Sequence, residues 1–259
     1  MIKVDCKSMA NDILDQVGRV HATRSLLILH AGDDPASASY MKGKIKDCQR
    51  CGIPVKQIKV EDQGELMFVI DCANNDPCIG GIIVQLPLPE GFDEQEAVSA
   101  VRIDKDVDGF RYGSPFMPCT PEGILYVMKK ELGENLAGSK VLLVGKGELV
   151  GKPLINILLD EGCTITVTHS RTKNMDRELG IWHDAVIVGV GKPNLVDLKK
   201  TNSNLIIDAG INRVDGHLVG DCFNFSDQYW WSRKYTPVPG GIGLMTRAML
   251  MDHMKKVRG

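Results

Sequence analysis

Short apolar runs alternate with helix-like segments in the first half of the chain. From about residue 24 to 119 the runs are SLLILHAG and GGIIVQLPLP, and each ends in a turn rich in Gly or Pro. Apolar residues recur at helical spacing over Met41–Cys51 and Glu65–Asn74. This alternation predicts an α/β domain.

The alternation becomes tighter from 139 to 210. The strand-like runs there are KVLLVGKG, TITVTHS, HDAVIVGVGKP and NLIIDAG, with a helical pattern over Lys152–Glu161. Apolar runs of about five to seven residues between helices are typical of a parallel sheet covered on both faces. The segment therefore predicts a doubly wound, Rossmann-type nucleotide-binding domain.

Two helices are predicted beside this second domain. Thr120 can cap, and Pro121 can begin, a helix that runs to about Leu132. The last segment has apolar residues from Leu244 to Met254 on roughly one face, and a helix of this kind often packs back on the first domain. With 259 residues we expect two α/β domains, residues 1–119 with 243–259 and residues 120–242.

Composition and charge narrow the class of partner. The chain is 43% hydrophobic and 25% charged, as in ordinary soluble globular proteins. Its formal net charge of −2 gives no electrostatic reason to expect nucleic acid or an anionic membrane, so a small molecule is the expected partner. The N-terminus is charged, and no apolar run approaches the about 18 residues of a membrane span. We expect a cytoplasmic protein.

The eight cysteines are expected to be reduced thiols, since disulfides are rare in the cytosol. Cys48 and Cys51 form a C-x-x-C, but it lies in a charged helix-like segment and no second pair follows at zinc-ribbon spacing. No metal site is predicted. Trp230 and Trp231 are expected to be packing or interface residues.

The stretch VLLVGKGELVGKP is a strand that runs into glycines and then a helix. Gly145, Gly147 and Gly151 would let a phosphate approach backbone N–H groups at the helix N-terminus, where the dipole favours anions. The spacing G-x-G-x-x-x-G is one residue longer than the usual dinucleotide fingerprint, so a Gly-rich turn without a ligand remains an alternative. Small residues in VGVGKP and DAGIN leave room for a nicotinamide ring at later strand ends.

The end of the second strand of this domain bears on the choice of cofactor. An NAD-selective domain usually has Asp or Glu there to hold the ribose 2′-hydroxyl, whereas this chain has His169, Ser170, Arg171 and Thr172. Cationic and hydroxyl groups attract a 2′-phosphate, and Lys146 can add to the same pocket. NADP is therefore favoured, the alternative being that Arg171 and Lys146 simply face water.

Candidate chemistry in the first domain begins with SASYMKGKIKDC. Tyr40 and Lys44 are four residues apart and project from one face of a helix, although Lys42 and Lys46 are equally consistent with a solvated surface. Gln85 ends an apolar strand, where a buried amide has to find hydrogen-bond partners.

The run DKDVDGF supplies three acids in five residues. Most such runs are solvated loops, and this is our expectation for Asp104 and Asp106. Asp108, next to a glycine and an aromatic residue, is the better candidate for binding the N–H groups of a ligand.

Seven motifs, in order, resemble those of the bifunctional methylenetetrahydrofolate dehydrogenase/methenyltetrahydrofolate cyclohydrolase family. They are GDDPASASYMKGK, GGIIVQLPLP, KDVDGF, PCTPEGI, GKGELVGKP, HSRTKN and TPVPGGIGLMT, and they span nearly the whole chain. The resemblance implies oxidation of 5,10-methylenetetrahydrofolate with NADP and hydrolysis of the methenyl product to 10-formyltetrahydrofolate. It also implies a homodimer and a folate site in a cleft between the two domains.

The resemblance assigns residues to roles. Tyr40 and Lys44 coincide with the catalytic Tyr-x-x-x-Lys, Gln85 with the glutamine that contacts the lysine, and Asp108 with the acid that binds the pterin. The remaining substrate-binding positions that it implies are Leu86, Pro239, Gly240 and Gly241. The cofactor-binding positions are Gly145, Lys146, Gly147, Val150, Gly151, Ser170, Arg171, Gly191 and Ile211.

Physical chemistry gives these roles a reason. Hydride loss from the methylene bridge leaves an amidinium cation and needs alignment but no proton transfer. Attack of water on that cation does need proton transfer. Lys44 can act as general base if its amine is uncharged, which burial or a nearby cation favours. Tyr40 would stack on or hydrogen-bond to the substrate.

The chain departs from the family pattern at three places. Lys146-Gly147 stands where Arg-Ser is usual, which alters the 2′-phosphate contact. Leu244 replaces the common proline. The loop between Asp108 and Pro118 is shorter and lacks the Asn-x-Gly turn, which either opens the edge of the cleft or changes an interface.

Two other functions are weighed against the bifunctional enzyme. A dehydrogenase without cyclohydrolase activity would have little use for Lys44. A non-enzymatic NADP-binding scaffold would keep the phosphate glycines but would not need the set Tyr40, Lys44, Gln85 and Asp108.

Overall fold

Helices and strands alternate along the chain in the computed structural model, which describes residues 1–18, 24–225 and 232–257. The helices are α1 (Cys6–Val17), α2 (Pro35–Arg50), α3 (Gln63–Asn75), α4 (Glu94–Ala100), α5 (Cys119–Leu132), α6 (Gly151–Asp160), α7 (Met175–Gly180) and α8 (Ile242–Lys256). Short 3-10 turns cover Ile103–Lys105 and Leu198–Lys200. Trp230 and Trp231 lie outside the described residues.

The strands follow the same order. They are β1 (Ile2–Lys3), β2 (Ser25–His30), β3 (Val55–Lys59), β4 (Ile79–Val84), β5 (Lys140–Val144), β6 (Thr164–Thr168), β7 (Trp182–Val188), β8 (Val196–Asp197), β9 (Asn202–Asp208), β10 (Asn212–Val214), β11 (His217–Val219), β12 (Cys222–Phe223) and β13 (Lys234–Tyr235).

The chain divides into two compact units. The six-stranded unit comprises Met1–Met9 and Thr120–Thr246, and the three-stranded unit comprises Ala10–Cys119 with the residues from Arg247 onward. These units differ from the predicted domains at two places. The first nine residues group with the six-stranded sheet because β1 pairs with β13, and the second crossing falls after Thr246 instead of after 242.

The six-stranded unit is built on a parallel sheet of order β1-β13-β9-β7-β5-β6. The interior strand β5, between β7 and β6, is apolar from Val141 to Val144 and fully buried there, so it contributes to both faces of the core. Leu142, Val186 and Ile206, on three adjacent strands, belong to one apolar cluster. Burying each such side chain stabilises the fold by about 1.5–3 kcal/mol.

The chain direction across this sheet reverses at β5. From β5 the chain moves to β6 on one side, and it then returns to β7 on the other side. Such a topological switch point, at the carboxyl ends of the strands, is where open α/β sheets bind their ligands. The predicted doubly wound α/β architecture is confirmed.

The three-stranded unit has a parallel sheet of order β3-β2-β4. Its middle strand β2 carries Leu26–Leu29, all buried. Helix α3 packs Leu66 and Ile70 against Leu27, Leu29 and neighbours on one side of this sheet. The edge strand β3 is largely exposed, with Lys and Gln among its five residues. No apolar run marks it, and it was not predicted.

Candidate active site

Tyr40 and Lys44 lie on α2, whose start is fixed locally. The Asp34 side chain caps the helix, with Oδ2 accepting a hydrogen bond from the Ser37 N–H at 2.7 Å, and Pro35 occupies the first turn. The Lys44 Nζ lies 5.2 Å from the centroid of the Tyr40 ring. Lys44 is only 4% exposed. The structure therefore excludes the solvated-surface alternative for Lys44.

Gln85 follows β4 at the carboxyl edge of the three-stranded sheet. Its backbone N–H donates to the Leu29 carbonyl at 2.8 Å, and its side-chain Nε2 donates to the Leu86 carbonyl at 2.7 Å. The side-chain Oε1 is buried and, within the described residues, has no hydrogen-bond partner. A buried acceptor without a donor costs about 1–3 kcal/mol, so this oxygen is available to an incoming N–H group. The contact of Gln85 with Lys44 stays a prediction.

Asp106 is not the solvated residue that the sequence analysis predicts. It is 3% exposed, and its carboxylate accepts backbone hydrogen bonds from Gly109 at 3.1 Å, Phe110 at 3.3 Å and Arg111 at 2.8 Å. Three N–H donors compensate a buried carboxylate. Asp106 thus shapes the loop that carries Asp108. Asp104 fits the expectation better, because it is half-exposed and forms a surface ion pair with Arg102.

Lys105, between these two acids, has a structural role. It is 4% exposed, and its ammonium donates to the carbonyls of Ala73 and Asp76, each at 2.7 Å. These carbonyls lie at the end of α3, where helices leave acceptors unsatisfied. Burial lowers the pKa of Lys105.

Asp108 is 9% exposed and lies in an electrostatic environment of mixed sign. Burial raises the pKa of its carboxyl group, the charges of Lys44 and His253 oppose that rise, and Asp106 adds to it. Lys44 and Asp108 are 64 residues apart in the sequence, and they lie close enough in space for each charge to act on the other.

His253 supports this loop and was not predicted. It is 1% exposed, its ring stacks on Phe116 with centroids 4.5 Å apart, and its Nδ1 lies 2.8 Å from the Val107 carbonyl and 3.6 Å from the Cys119 Sγ. Because a carbonyl only accepts, Nδ1 carries the hydrogen in that contact. The only signal in the sequence is a histidine among the methionines of the last helix.

The glycine loop after β5 is held by two close backbone approaches. Gly145 has φ +113°, and a side-chain carbon there would lie 2.6 Å from the Gly189 carbonyl oxygen. At Gly151 such a carbon would lie 2.6 Å from the Gly145 carbonyl oxygen. Gly147, by contrast, has open space on its side-chain side. Gly145 and Gly151 are therefore required by the turn itself.

The loop has the position predicted for the phosphate site of a dinucleotide. It leads into α6 at the switch point, and the residue before that helix, Val150, makes no side-chain capping bond. In the first turn of α6 the Lys152 N–H donates to the Gly147 carbonyl at 3.0 Å and Pro153 has no N–H, so this turn offers an anion the Gly151 N–H and the positive end of the helix dipole. At the ends of β7 and β9 the apolar residues Val190 and Ile211 are 38% and 51% exposed. An apolar ring can cover them.

The turn after β6 presents the predicted 2′-phosphate residues. The Thr172 N–H donates to the His169 carbonyl at 2.8 Å, and the His169 N–H donates to the Thr172 hydroxyl at 2.9 Å, so the turn is closed on itself. Ser170 and Arg171, at its tip, are exposed, as is Lys146. All three are open to a ligand, and their role in binding it stays a prediction.

Pro239, Gly240 and Gly241 precede α8 in the six-stranded unit, whereas Tyr40, Gln85, Leu86 and Asp108 belong to the three-stranded unit. Gly240 has φ +97°, and a side chain at Gly241 would overlap the Pro237 carbonyl oxygen. The Leu244 N–H donates to the Gly241 carbonyl at 3.0 Å. The turn thus requires both glycines, while Leu244 serves through its backbone.

In residues 1–18, 24–225 and 232–257, no helix is long and apolar enough to cross a membrane. In the same ranges no three His, Cys, Asp or Glu side chains are grouped so that they could hold a metal ion. Cys48 and Cys51 are both buried and free.

Two family models match the chain. Residues 4–108 match the tetrahydrofolate dehydrogenase/cyclohydrolase catalytic domain, and residues 118–258 match the tetrahydrofolate dehydrogenase/cyclohydrolase NAD(P)-binding domain. Among curated relatives, the bifunctional protein FolD of Halalkalibacterium halodurans is 42% identical over 242 residues, which cover 88% of this chain and 86% of that protein.

Solved structures give the same result. The bifunctional methylenetetrahydrofolate dehydrogenase/cyclohydrolase FolD of Campylobacter jejuni is 32% identical, with a TM-score of 0.90 over 98% of this chain and 96% of that one. The bifunctional 5,10-methylenetetrahydrofolate dehydrogenase/cyclohydrolase of Thermoplasma acidophilum is 30% identical, with a TM-score of 0.82 over 97% of this chain and 94% of that one.

Proposed function

Because the chain belongs to the tetrahydrofolate dehydrogenase/cyclohydrolase family, we propose that it oxidises 5,10-methylenetetrahydrofolate with NADP and hydrolyses the methenyl product to 10-formyltetrahydrofolate. The observation that carries the proposal is the buried Lys44, which lies beside Tyr40 and acts electrostatically on Asp108. Hydride transfer alone has little use for such an amine. Hydrolysis, by contrast, includes a proton transfer, for which a general base is needed.

The three-stranded unit binds and orients the folate. Asp108 accepts hydrogen bonds from the N–H groups of the pterin, and the Asp106 carboxylate holds the loop that presents Asp108. Tyr40 offers an aromatic face and a hydroxyl to the same substrate. Removal of hydride from the methylene carbon leaves a cation and releases no proton, so no protein base takes part in that step.

NADP, when bound, supplies the acceptor for the hydride. The chain's own contribution is to hold it. The N-terminus of α6 and the loop from Gly145 to Gly151 would bind the pyrophosphate, while the apolar side chain of Ile211 would exclude water from the nicotinamide. The positive charges of Lys146 and Arg171, with the Ser170 hydroxyl, would hold the 2′-phosphate.

Lys44 carries the hydrolytic step. Water adds to the methenyl carbon as the Lys44 amine takes its proton, for which the amine has to be uncharged when the substrate is bound. The adduct then opens at the bond between this carbon and N5, and its hydroxyl proton passes to N5, which gives the 10-formyl product. The Gln85 Oε1 is the acceptor that orients the amine, which gives a role to an oxygen that otherwise has no donor among the described residues.

We further propose that the protein is a cytoplasmic homodimer that binds neither nucleic acid nor membranes. The support is the family resemblance, together with the net charge of −2. Light scattering coupled to size-exclusion chromatography tests the dimer directly. A mass near twice 28.4 kDa is expected, and a mass near 28.4 kDa would refute it.

One assay tests both activities together. Purified protein is mixed with 5,10-methylenetetrahydrofolate and NADP, and absorbance is followed at a wavelength for NADPH and at one for methenyltetrahydrofolate. We expect NADPH to form without lasting accumulation of the methenyl compound. Accumulation of the methenyl compound at its spontaneous hydrolysis rate would identify a dehydrogenase alone. NADP binding without either reaction would identify a scaffold.

A further inference from the structure

A buried carboxylate links two loops at the switch point. Asp221, between β11 and β12, is 0% exposed. Its Oδ2 accepts hydrogen bonds from the N–H groups of Val190 at 2.7 Å and Gly191 at 2.9 Å. Its Oδ1 accepts from the Lys192 N–H at 2.9 Å and from the Asn212 Nδ2 at 2.8 Å. Four donors from two separate loops therefore meet on one side chain.

These loops leave adjacent strands. Residues 190–192 follow β7 and residues 211–212 follow β9, and β7 pairs directly with β9 in the sheet. Both carry predicted cofactor positions, Gly191 and Ile211. Each of these two residues either donates to Asp221 or is the chain neighbour of one that does. The carboxylate thus fixes the spacing between the two strand ends.

A second buried carboxylate places Asp221. The Oδ1 of Asp208 accepts from the N–H groups of Gly210 at 2.9 Å and Asp221 at 3.1 Å, and its Oδ2 accepts from Cys222 at 2.9 Å. A side chain at Gly210 would overlap the Asp221 carboxylate. Two negative side chains are buried close together here, at a cost that several charge-assisted hydrogen bonds offset.

Two buried carboxylates, those of Asp221 and Asp208, are needed to hold these loops in place. This indicates that the positions of the loops matter for function. Loops that follow parallel strands usually lie at the surface and are more mobile than the elements they connect. The loop 190–192 borders the glycine loop, since Gly145 closely approaches the Gly189 carbonyl. A nicotinamide ring at the switch point would rest on the two loops that the carboxylates hold.

We propose that Asp221 is a positioning residue for NADP, which holds the loops 190–192 and 211–212 at the spacing that the nicotinamide half of the cofactor requires. The proposal rests on the proposed function, because it assumes NADP at this switch point. Asp221 acts through backbone N–H groups and Asn212, and it contacts neither the cofactor nor the folate.

Each of the two Asp221 oxygens accepts two hydrogen bonds, and Asp221→Asn replaces one of these oxygens with an NH₂ group. An amide has one acceptor oxygen, so in either orientation its NH₂ group faces two donors and two hydrogen bonds are lost. We expect the NADP dissociation constant, measured by fluorescence titration, to rise about tenfold or more. Cyclohydrolase kcat/KM with supplied methenyltetrahydrofolate needs no nucleotide and should stay within about twofold of wild type.

Three further variants make the experiment decisive. Asp197→Asn, a carboxylate of the same unit that accepts from Lys199 N–H and Asn224 Nδ2 at the surface, should leave NADP binding unchanged. The exchange Asn212→Asp with Asp221→Asn restores the contact between these side chains and should recover part of the affinity. Asn212→Ala removes one donor only, and decides the matter if Asp221→Asn does not fold.

Wild-type NADP affinity in both folded Asp221→Asn and Asn212→Ala would overturn the inference. So would an equal loss of dehydrogenase and cyclohydrolase activity, because a purely structural carboxylate lowers both together. Failure of the wild-type protein to bind NADP or to oxidise the folate would instead overturn the proposed function, and this inference with it.

Discussion

At the scale of single residues, Asp108 is buried, and the role proposed for it in binding the pterin requires its negative charge. Burial raises the pKa of its carboxyl group, and the nearby Lys44 charge offsets only part of that rise. A raised pKa means that the carboxylate takes up a proton at a higher pH during acidification than an exposed aspartate does. Protonation at this pH would also remove the acceptor that is proposed for the pterin N–H groups.

The pKa of an exposed aspartate is about 4. We therefore expect kcat/KM for methylenetetrahydrofolate to fall on the acid side with a midpoint above that value. A pH–rate profile of the dehydrogenase measures it. In Asp108→Asn this limb should be absent, and activity should be low at every pH. An acid limb that Asp108→Asn retains unchanged would assign the titration to another group.

The residue scale also shows what sequence can and cannot reveal about the site. The spacing of Tyr40 and Lys44 predicts their common helix face, because it depends only on helix geometry. Asp106 is misjudged because its three partners are backbone N–H groups, which no residue type signals. Asp221 is missed for a similar reason, since its donors come from loops that only the sheet topology brings together.

At the scale of elements, the join between β5 and α6 depends on glycine at some positions and not at others. In Gly151→Ala the new methyl group meets the Gly145 carbonyl and the Lys146 backbone, neither of which moves easily. We expect a loss of about 1–3 kcal/mol in the free energy of unfolding. Gly147→Ala meets open space and should change it by less than about 1 kcal/mol.

Urea denaturation of the two variants gives both values. Equal destabilisation by Gly147→Ala and Gly151→Ala would contradict the assigned geometry of the loop.

The turn after β6 carries the residues proposed to select NADP over NAD. Arg171 is exposed at the tip of a turn that His169 and Thr172 close, so its removal should leave the backbone in place. We expect Arg171→Ala to lower kcat/KM for NADP by about tenfold or more, while the value for NAD stays within about twofold. Arg177→Ala, an exposed arginine on α7, serves as the matched control.

Wild-type protein should itself prefer NADP. An equal or higher kcat/KM with NAD would refute the role assigned to Lys146, Ser170 and Arg171.

Strands could be predicted from the sequence where their burial requires a run of apolar residues. The strands β2, β4, β5, β6, β7 and β9 are predicted because they carry apolar runs that the core buries. β3 escapes because it is an edge strand with exposed lysines, so its alternation of apolar and polar residues is weak. The N-terminal β1 pairs with β13, a contact between the two ends of the chain that local patterning does not encode.

At the scale of the whole molecule, burial governs the reactivity of the thiols. Six of the eight cysteines are buried, and only Cys72 and Cys78 are exposed. Burial raises the pKa of Cys6 and of Cys48 to about 12 and that of Cys51 to about 11, so their reactive thiolate forms are rare at neutral pH. The C-x-x-C pair is thereby kept unreactive in the native fold.

Titration with a thiol reagent should accordingly find two fast thiols in the native protein and eight in denaturant. Fast native reaction of a third thiol, identified by mass spectrometry as Cys48 or Cys51, would contradict this account of the C-x-x-C.

For the molecule as a whole, hydrolysis and NADP binding are proposed to depend on different residues. Lys44 should be needed for hydrolysis and dispensable for holding NADP, because the predicted cofactor residues all belong to the six-stranded unit. The most direct measurement compares Lys44→Met with Lys42→Met, which alters an exposed lysine of the same helix. Cyclohydrolase rates and NADP affinity are determined for both variants.

We predict that Lys44→Met loses cyclohydrolase activity while its fold and its NADP dissociation constant match wild type, and that Lys42→Met retains both properties. A wild-type cyclohydrolase rate in folded Lys44→Met would remove Lys44 from its role as general base and contradict the account.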